Sequence, residues 1–138
     1  MADDDELALL AQDDGMRFEL LASSLRADAN DAGAFMEALA EKLGGALPQR
    51  ARVERGGGMF SHKHPVRRIA LNLGDYEYVV VADGGGALSA ARTHLVRGIA
   101  LKSESLGLDE WIETLAAELT QLADRSAQDR AALQRLLG

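Results

Sequence analysis

Cysteine is absent from the 138-residue chain. Its absence excludes disulfides and thiolate metal sites, and fits a reducing compartment. Aromatic residues make up only 4% of the chain, so the core has to be aliphatic and platforms for stacking bases are scarce. Proline occurs twice, at Pro48 and Pro65. Pro48 closes the first helical region, and Pro65 argues against a central strand just before it. No apolar run approaches the roughly 18 residues needed to cross a bilayer. The first residues, Met1-Ala2-Asp3-Asp4-Asp5-Glu6, are acidic where a secretory signal is basic. These absences lead to the expectation of a cytoplasmic protein with no membrane span.

What remains is ordinary for a globular domain: 47% hydrophobic and 27% charged residues. The length fits a single domain, 1–138, with enough chain to bury a core. The net charge of −7 is unevenly spread. Residues 1–49 carry 3 basic and 11 acidic side chains, residues 50–102 carry 9 and 4, and residues 103–138 carry 3 and 7. The middle segment is therefore +5 between flanks of −8 and −4.

That middle segment holds the clearest local pattern. Arg67 to Leu73 alternates, Gly74-Asp75 offers a two-residue turn, and Tyr76 to Val81 returns. Glycine at the first central position suits a type II′ turn. The implied register pairs Leu73 with Tyr76, Leu71 with Tyr78 and Ile69 with Val80 on a core face. Asn72 with Glu77, Ala70 with Val79 and Arg68 with Val81 share the other face. Asp83 to Gly86 makes a second turn and Ala87 to about His94 a further strand. Residues 95–102 read as another strand or as a bulged continuation with Gly98 at the bend. Gln49 to Arg55 alternates as an edge strand.

Helical periodicity flanks the sheet. Residues 4–13 and Met16 to Ala29 read as helical, followed by Ala32 to Leu43 with Asn30 or Asp31 as N-cap and Gly44 at C′. Asp109 to Ala123 carries the broadest apolar face, with Trp111, Ile112, Leu115, Leu119 and Leu122. Ser126 and Asp129 resemble a capping pair for a last helix, Ala127 to Leu137, anchored by Leu133, Leu136 and Leu137. The expected fold class is α+β. It has two N-terminal helices, an antiparallel β-meander of three to five strands, and one or two C-terminal helices packed on one sheet face.

Two stretches are candidates for function. Gly56, Gly57 and Gly58, followed by His62, Lys63 and His64, resemble an anion cradle, since glycine-rich backbone can aim N–H groups at phosphate. No Gly-Lys-Ser/Thr follows, and a strand rather than a helix comes next, so this is neither a P-loop nor a dinucleotide fingerprint. His62 and His64 lack an obvious third metal ligand beyond His94, and no metal or cofactor is expected. The acids sit at helix starts or on solvent faces, Ser103 and Ser105 read as helix caps, and no Gly-x-Ser-x-Gly elbow occurs. No catalytic residues are expected.

Tyr76 and Tyr78 fall on the core face and the chain is acidic, so nucleic acid is an unfavoured partner, and no small-molecule substrate is indicated. The remaining surface is the second sheet face with its arginines. Arg52, Lys63, Arg67 and Arg68 would supply charge contacts and Val79 and Val81 apolar area. Such a surface suits an acidic, amphipathic segment of another protein, or a second copy of this chain. The expectation is a non-enzymatic binding or adaptor module. Recognition of phosphate groups on lipid, nucleotide or nucleic acid is the alternative. Size, acidity and α+β content are also similar to those of small secretion chaperones. That resemblance implies a third, chaperone-like role, although two leading helices and a single meander depart from the usual order of those proteins.

Overall fold

The computed structural model describes residues 20–60, 62–125, 131 and 134–137. Expectations on residues 4–13, on Phe18, and on Ser126, Asp129 and Leu133 lie outside these. Five strands form one antiparallel sheet in chain order. They are β1 (Ala51–Arg55), β2 (Val66–Asn72), β3 (Tyr76–Ala82), β4 (Leu88–Val96) and β5 (Ile99–Leu106). Residues 20–28 are helical (α1), followed by α2 (Ala32–Ala46). α3 (Leu108–Arg125) and helical residues 134–137 (α4) come after the sheet. α2 packs on β1, β2 and β3, and α3 on β4, giving the α+β architecture.

The β2–β3 hairpin has the register that its turn dictates. Arg68 faces Val81, Ile69 faces Val80, Ala70 faces Val79, Leu71 faces Tyr78 and Asn72 faces Glu77. Leu73 N–H donates to the Tyr76 carbonyl at 2.9 Å, closing the two-residue loop. Gly74 takes φ +94° while Asp75 keeps an ordinary negative φ, the combination a type II′ turn requires. Alternation then sends Val53, Ile69, Leu71, Tyr78, Val80 and Ala90 toward the helices. Ile69, Leu71, Tyr78 and Val80 are all at most 1% exposed.

The helices meet that face with the stripes their periodicity foretells. Phe35, Met36, Leu39 and Leu43 of α2 are buried, as are Trp111, Ile112, Leu115, Leu119 and Leu122 of α3. Asp31 is the N-cap of α2, its carboxylate accepting from Ala34 N–H at 3.0 Å, a contact worth about 1 kcal/mol. Trp111 anchors α3: its Nε1 donates to the Ala91 carbonyl at 3.0 Å and its ring meets Tyr78 edge-on at 6.0 Å.

Three expectations are corrected. α2 does not stop at Leu43 with Gly44 at C′. It continues to Ala46, with Leu47 donating to Leu43 at 2.8 Å, because Ala46 and Leu47 are buried in the core. β4 runs on to Val96, and residues 99–106 form a full fifth strand. The turn between them is Arg97-Gly98, both at positive φ, +53° and +80°, which is type I′ geometry. Ser103 and Ser105 are consequently strand residues, not helix caps. The Ser103 hydroxyl pairs with Thr93 across the sheet at 3.1 Å.

Arginine in the left-handed region carries steric strain that asparagine relieves by bonding locally to its own backbone. Arg97→Asn is therefore expected to stabilise the protein by about 0.5–1 kcal/mol, a rise of roughly 2–4 °C in Tm. Calorimetry reads this directly, and an unchanged or lower midpoint would contradict the turn assignment.

Candidate functional site

The antiparallel meander places the β1–β2 loop and the β3–β4 turn at one end of the sheet, and the β2–β3 and β4–β5 turns at the other. At the first end, the loop of residues 56–65 closes on itself. Gly56 N–H donates to the Pro65 carbonyl at 2.8 Å, the His64 ring nitrogen lies 3.2 Å from the Gly56 carbonyl, and Arg55 donates to the His64 carbonyl at 2.9 Å. Gly57 sits at φ +97°, where an added Cβ would lie 2.5 Å from the Lys63 carbonyl oxygen. Only glycine lets the loop fold back this tightly. The Gly56 amide, counted in the anion cradle, is thus committed to Pro65. Met59 and Phe60 are 92% and 94% exposed, and Gly58, His62 and Lys63 beside them are exposed as well.

Arg67 is the extra residue of a bulge in β2 opposite Glu54 and Arg55. Its side chain lies against Gly56 and reaches Gly84. That brings it toward Asp83, whose carboxylate accepts from Gly85 N–H at 2.7 Å and Ala87 N–H at 3.1 Å. Those two backbone donors hold the Asp83 carboxyl below its ordinary value, with a smaller contribution from the Arg67 charge.

The sheet face away from the helices is not covered by any described element. Its middle row runs Arg52, Ala70, Val79, Ala91, Ser105 across all five strands. Glu54, Arg68, Val81 and Ser89 form the row on the loop side, and Asn72, Glu77, Thr93 and Ser103 the row on the other. The middle row has small apolar side chains at Ala70, Val79 and Ala91, the first of them buried, with Arg52 at one end and Ser105 at the other.

The structure redistributes the expected positive charge. Arg55 pairs with Glu37 of α2 at 3.0 Å, Arg68 lies 4.0 Å from Glu54, and Arg92 is held by Glu104. The predicted Arg52, Arg67, Arg68 and Lys63 do not form one cluster. Arg52 and Arg68 share the uncovered face with Val79 and Val81, while Lys63 and Arg67 belong to the loop end. Of these, Arg52 is exposed with no carboxylate partner among the described residues. His94 stands at the opposite end of the sheet from His62 and His64, so the three histidines do not converge.

A cluster that sequence reasoning missed lies on the helix side of β3, β4 and β5, beyond the reach of α3. Tyr76 stacks on His94 with centroids 5.0 Å apart, and the Arg92 guanidinium lies 4.4 Å over the Tyr76 ring. Lys102 and Glu104 complete a cleft of about 210 Å³. Burial works against the Arg92 charge, but hydrogen bonds to Tyr78 and Glu104 outweigh it and hold its pKa above the ordinary value. Burial likewise pushes the Tyr78 hydroxyl up to about 12. The missing signal was the β4–β5 register, which alone puts Arg92 opposite Glu104 and His94 opposite Lys102. No protein-family model, curated protein or solved structure matches the chain.

The Asp83 turn gives a pH dependence whose sign is determined by its lowered pKa. The carboxylate stabilises the fold fully above its unfolded value of 3.8 and ceases to do so as pH falls through the lower folded value. Asp83→Asn should cost stability at neutral pH, and its difference from the parent protein should shrink as the medium is acidified below 3.8. Urea midpoints of the two proteins across that range test this; a difference that does not vary with pH would refute it.

Proposed function

We propose that this protein is a non-enzymatic binding module whose uncovered sheet face receives an amphipathic, acidic segment of another protein. The observation that carries the reading is the small-residue row Ala70–Val79–Ala91 on the side opposite the helices, with Val79 and Ala91 partly exposed and Ala70 7% exposed, Val81 beside it and Arg52 at its end. An apolar strip of the partner covers this row, and a carboxylate of the same segment meets Arg52. Arg68 contributes less, because Glu54 already shares its charge. Arg55 and Arg92 lie on the helix side of the sheet, so the positive charge on this face sits toward its β1 edge and affinity comes mainly from apolar area.

The test is selection of peptides from a random displayed library on the immobilised protein, followed by methyl NMR of the complex. Enriched peptides should combine aliphatic residues with Asp or Glu, and should shift the methyl signals of Ala70, Val79, Val81 and Ala91. Arg52→Glu should weaken them about tenfold, equivalent to about 1.4 kcal/mol. Shifts confined to other surfaces, or a selection with no common pattern, would remove the reading.

One observation favours a second reading. Met59 and Phe60 project almost fully exposed from the loop that also carries His62 and Lys63. An apolar tip beside a lysine suits the surface of an anionic lipid bilayer, with the apolar side chains inserted and the ammonium at phosphate level. Sedimentation with phosphatidylserine vesicles should retain the protein at low salt and lose it with Phe60→Ser or with neutral vesicles. No retention of the parent protein would dismiss this reading.

A further inference from the structure

β5 is the last strand of the sheet, and no described element pairs with its outer edge. An open edge of eight residues exposes a row of unpaired backbone donors and acceptors, which proteins generally blunt or cover. Here the edge runs over eight residues with an apolar first half, and a register shift at Leu101 separates Ile99 and Ala100 from the regular stretch Lys102–Leu106. Ile99 and Leu101 are 67% and 64% exposed.

The direction of its free hydrogen-bonding groups follows from the bonds already made. Leu95 N–H donates to the Asp75 carbonyl at 2.8 Å, so the odd-numbered residues of β4 bond to β3 and the even-numbered ones to β5. His94, Arg92 and Ala90 stand opposite Lys102, Glu104 and Leu106. Those three residues of β5 therefore face inward. The N–H and C=O groups of Ser103 and Ser105 face out of the sheet edge.

From this edge we infer that β5 pairs antiparallel with β5 of a second copy about a two-fold axis at Ser103. Ser103 then lies opposite the second copy's Ser103 as a hydrogen-bonded pair, each donating to the other. Lys102 of each copy lies opposite Glu104 of the other, in the closer, non-hydrogen-bonded positions where side chains interact most strongly. Charge selects this register. Centring the axis on Lys102 would oppose two lysines, and centring it on Glu104 would oppose two glutamates. Shifts by a single residue would set outward-facing groups against inward-facing ones. Arg92 occupies Oε1 of Glu104 through Nε at 3.0 Å and through Nη2, which leaves Oε2 to receive the second copy's lysine.

Leu101 is the extra residue where β5 shifts register against β4, so the regular pairing spans Lys102 to Glu104 of each copy, and the exposed side chains of Ile99 and Leu101 lie beside it. The product is a continuous ten-stranded sheet with helices on one side and an unbroken open face on the other. This pairing does not depend on whether that face binds a peptide. A single strand pair buries less than the ~1,600 Å² of a standard interface, so dissociation falls in the micromolar range.

Analytical ultracentrifugation over roughly 1–500 µM should show a monomer–dimer equilibrium. Ser103→Pro removes an outward backbone donor, a change an edge strand tolerates, together with the hydroxyl that accepts from Thr93. It should weaken the dimer at least tenfold while leaving circular dichroism unchanged. Lys102→Glu and Glu104→Lys should each weaken self-association to a similar degree, and an equimolar mixture of the two should recover dimer, since their opposed charges are complementary.

Because the chain has no cysteine, Ser103→Cys introduces its sole thiol. Facing its symmetry mate at about 5.5 Å, it should oxidise to a linked dimer. Ser105→Cys, about 14 Å from its mate in this register, should not. A parent protein that stays monomeric throughout, a Ser103→Pro variant that associates as before, or equal crosslinking at both positions would each overturn the inference.

Discussion

The β2–β3 hairpin decides which side of the central strands meets the helices, and everything else in the molecule inherits that decision. Because side chains alternate with a period of two, a slip of one residue at Gly74-Asp75 would turn Ile69, Leu71, Tyr78 and Val80 outward. It would bring Arg68, Ala70, Val79 and Val81 beneath α2 and α3. The first set is fully buried, so burial and turn geometry reinforce each other. α3 is secured on the same scaffold by Trp111, which combines a large apolar surface with a hydrogen bond to Ala91. A β4 carbonyl thereby locks the helix to the sheet at a defined height.

Charge is organised around this scaffold by pairing more than by segregation. Acidic helices and a basic sheet meet at Arg55 and Glu37, and within the sheet Glu54 and Glu104 stand beside Arg68 and Arg92. Exposed ion pairs of this kind contribute little to stability, typically below about 1 kcal/mol each, but they lower the long-range pull of the sheet on anionic partners. What they leave is a face with little net charge and a small-residue row. Recognition there would rest on shape and apolar area, with Arg52 orienting the ligand.

The two edges of the sheet are not equivalent. β1 is short and carries arginines, features that discourage further pairing. β5 is longer and, past its register shift at Leu101, carries its charged residues in a self-complementary order. The stack of His94, Tyr76 and Arg92 lies against the inner side of this edge, so pairing of two copies would close the small cleft around Lys102 and Glu104 from the outside.

Local chemistry makes much of this legible in the sequence alone. A glycine-led two-residue turn between alternating segments yields a register, and apolar residues at helical spacing yield the faces of α2 and α3. Asp31 announces a helix start. These features depend on residues a few positions apart, and such short-range preferences act in the unfolded chain as in the folded one. Arg97-Gly98 carries no such signal, because arginine rarely enters a left-handed turn, so neither the bounds of β5 nor the strand positions of Ser103 and Ser105 follow from local pattern. Only the tertiary structure decided which arginines are neutralised, that the Gly56 amide is occupied by Pro65, and that Arg92, Tyr76, His94 and Glu104 meet. Those outcomes depend on partners many residues apart in the chain, and no local pattern encodes a distance that folding alone creates.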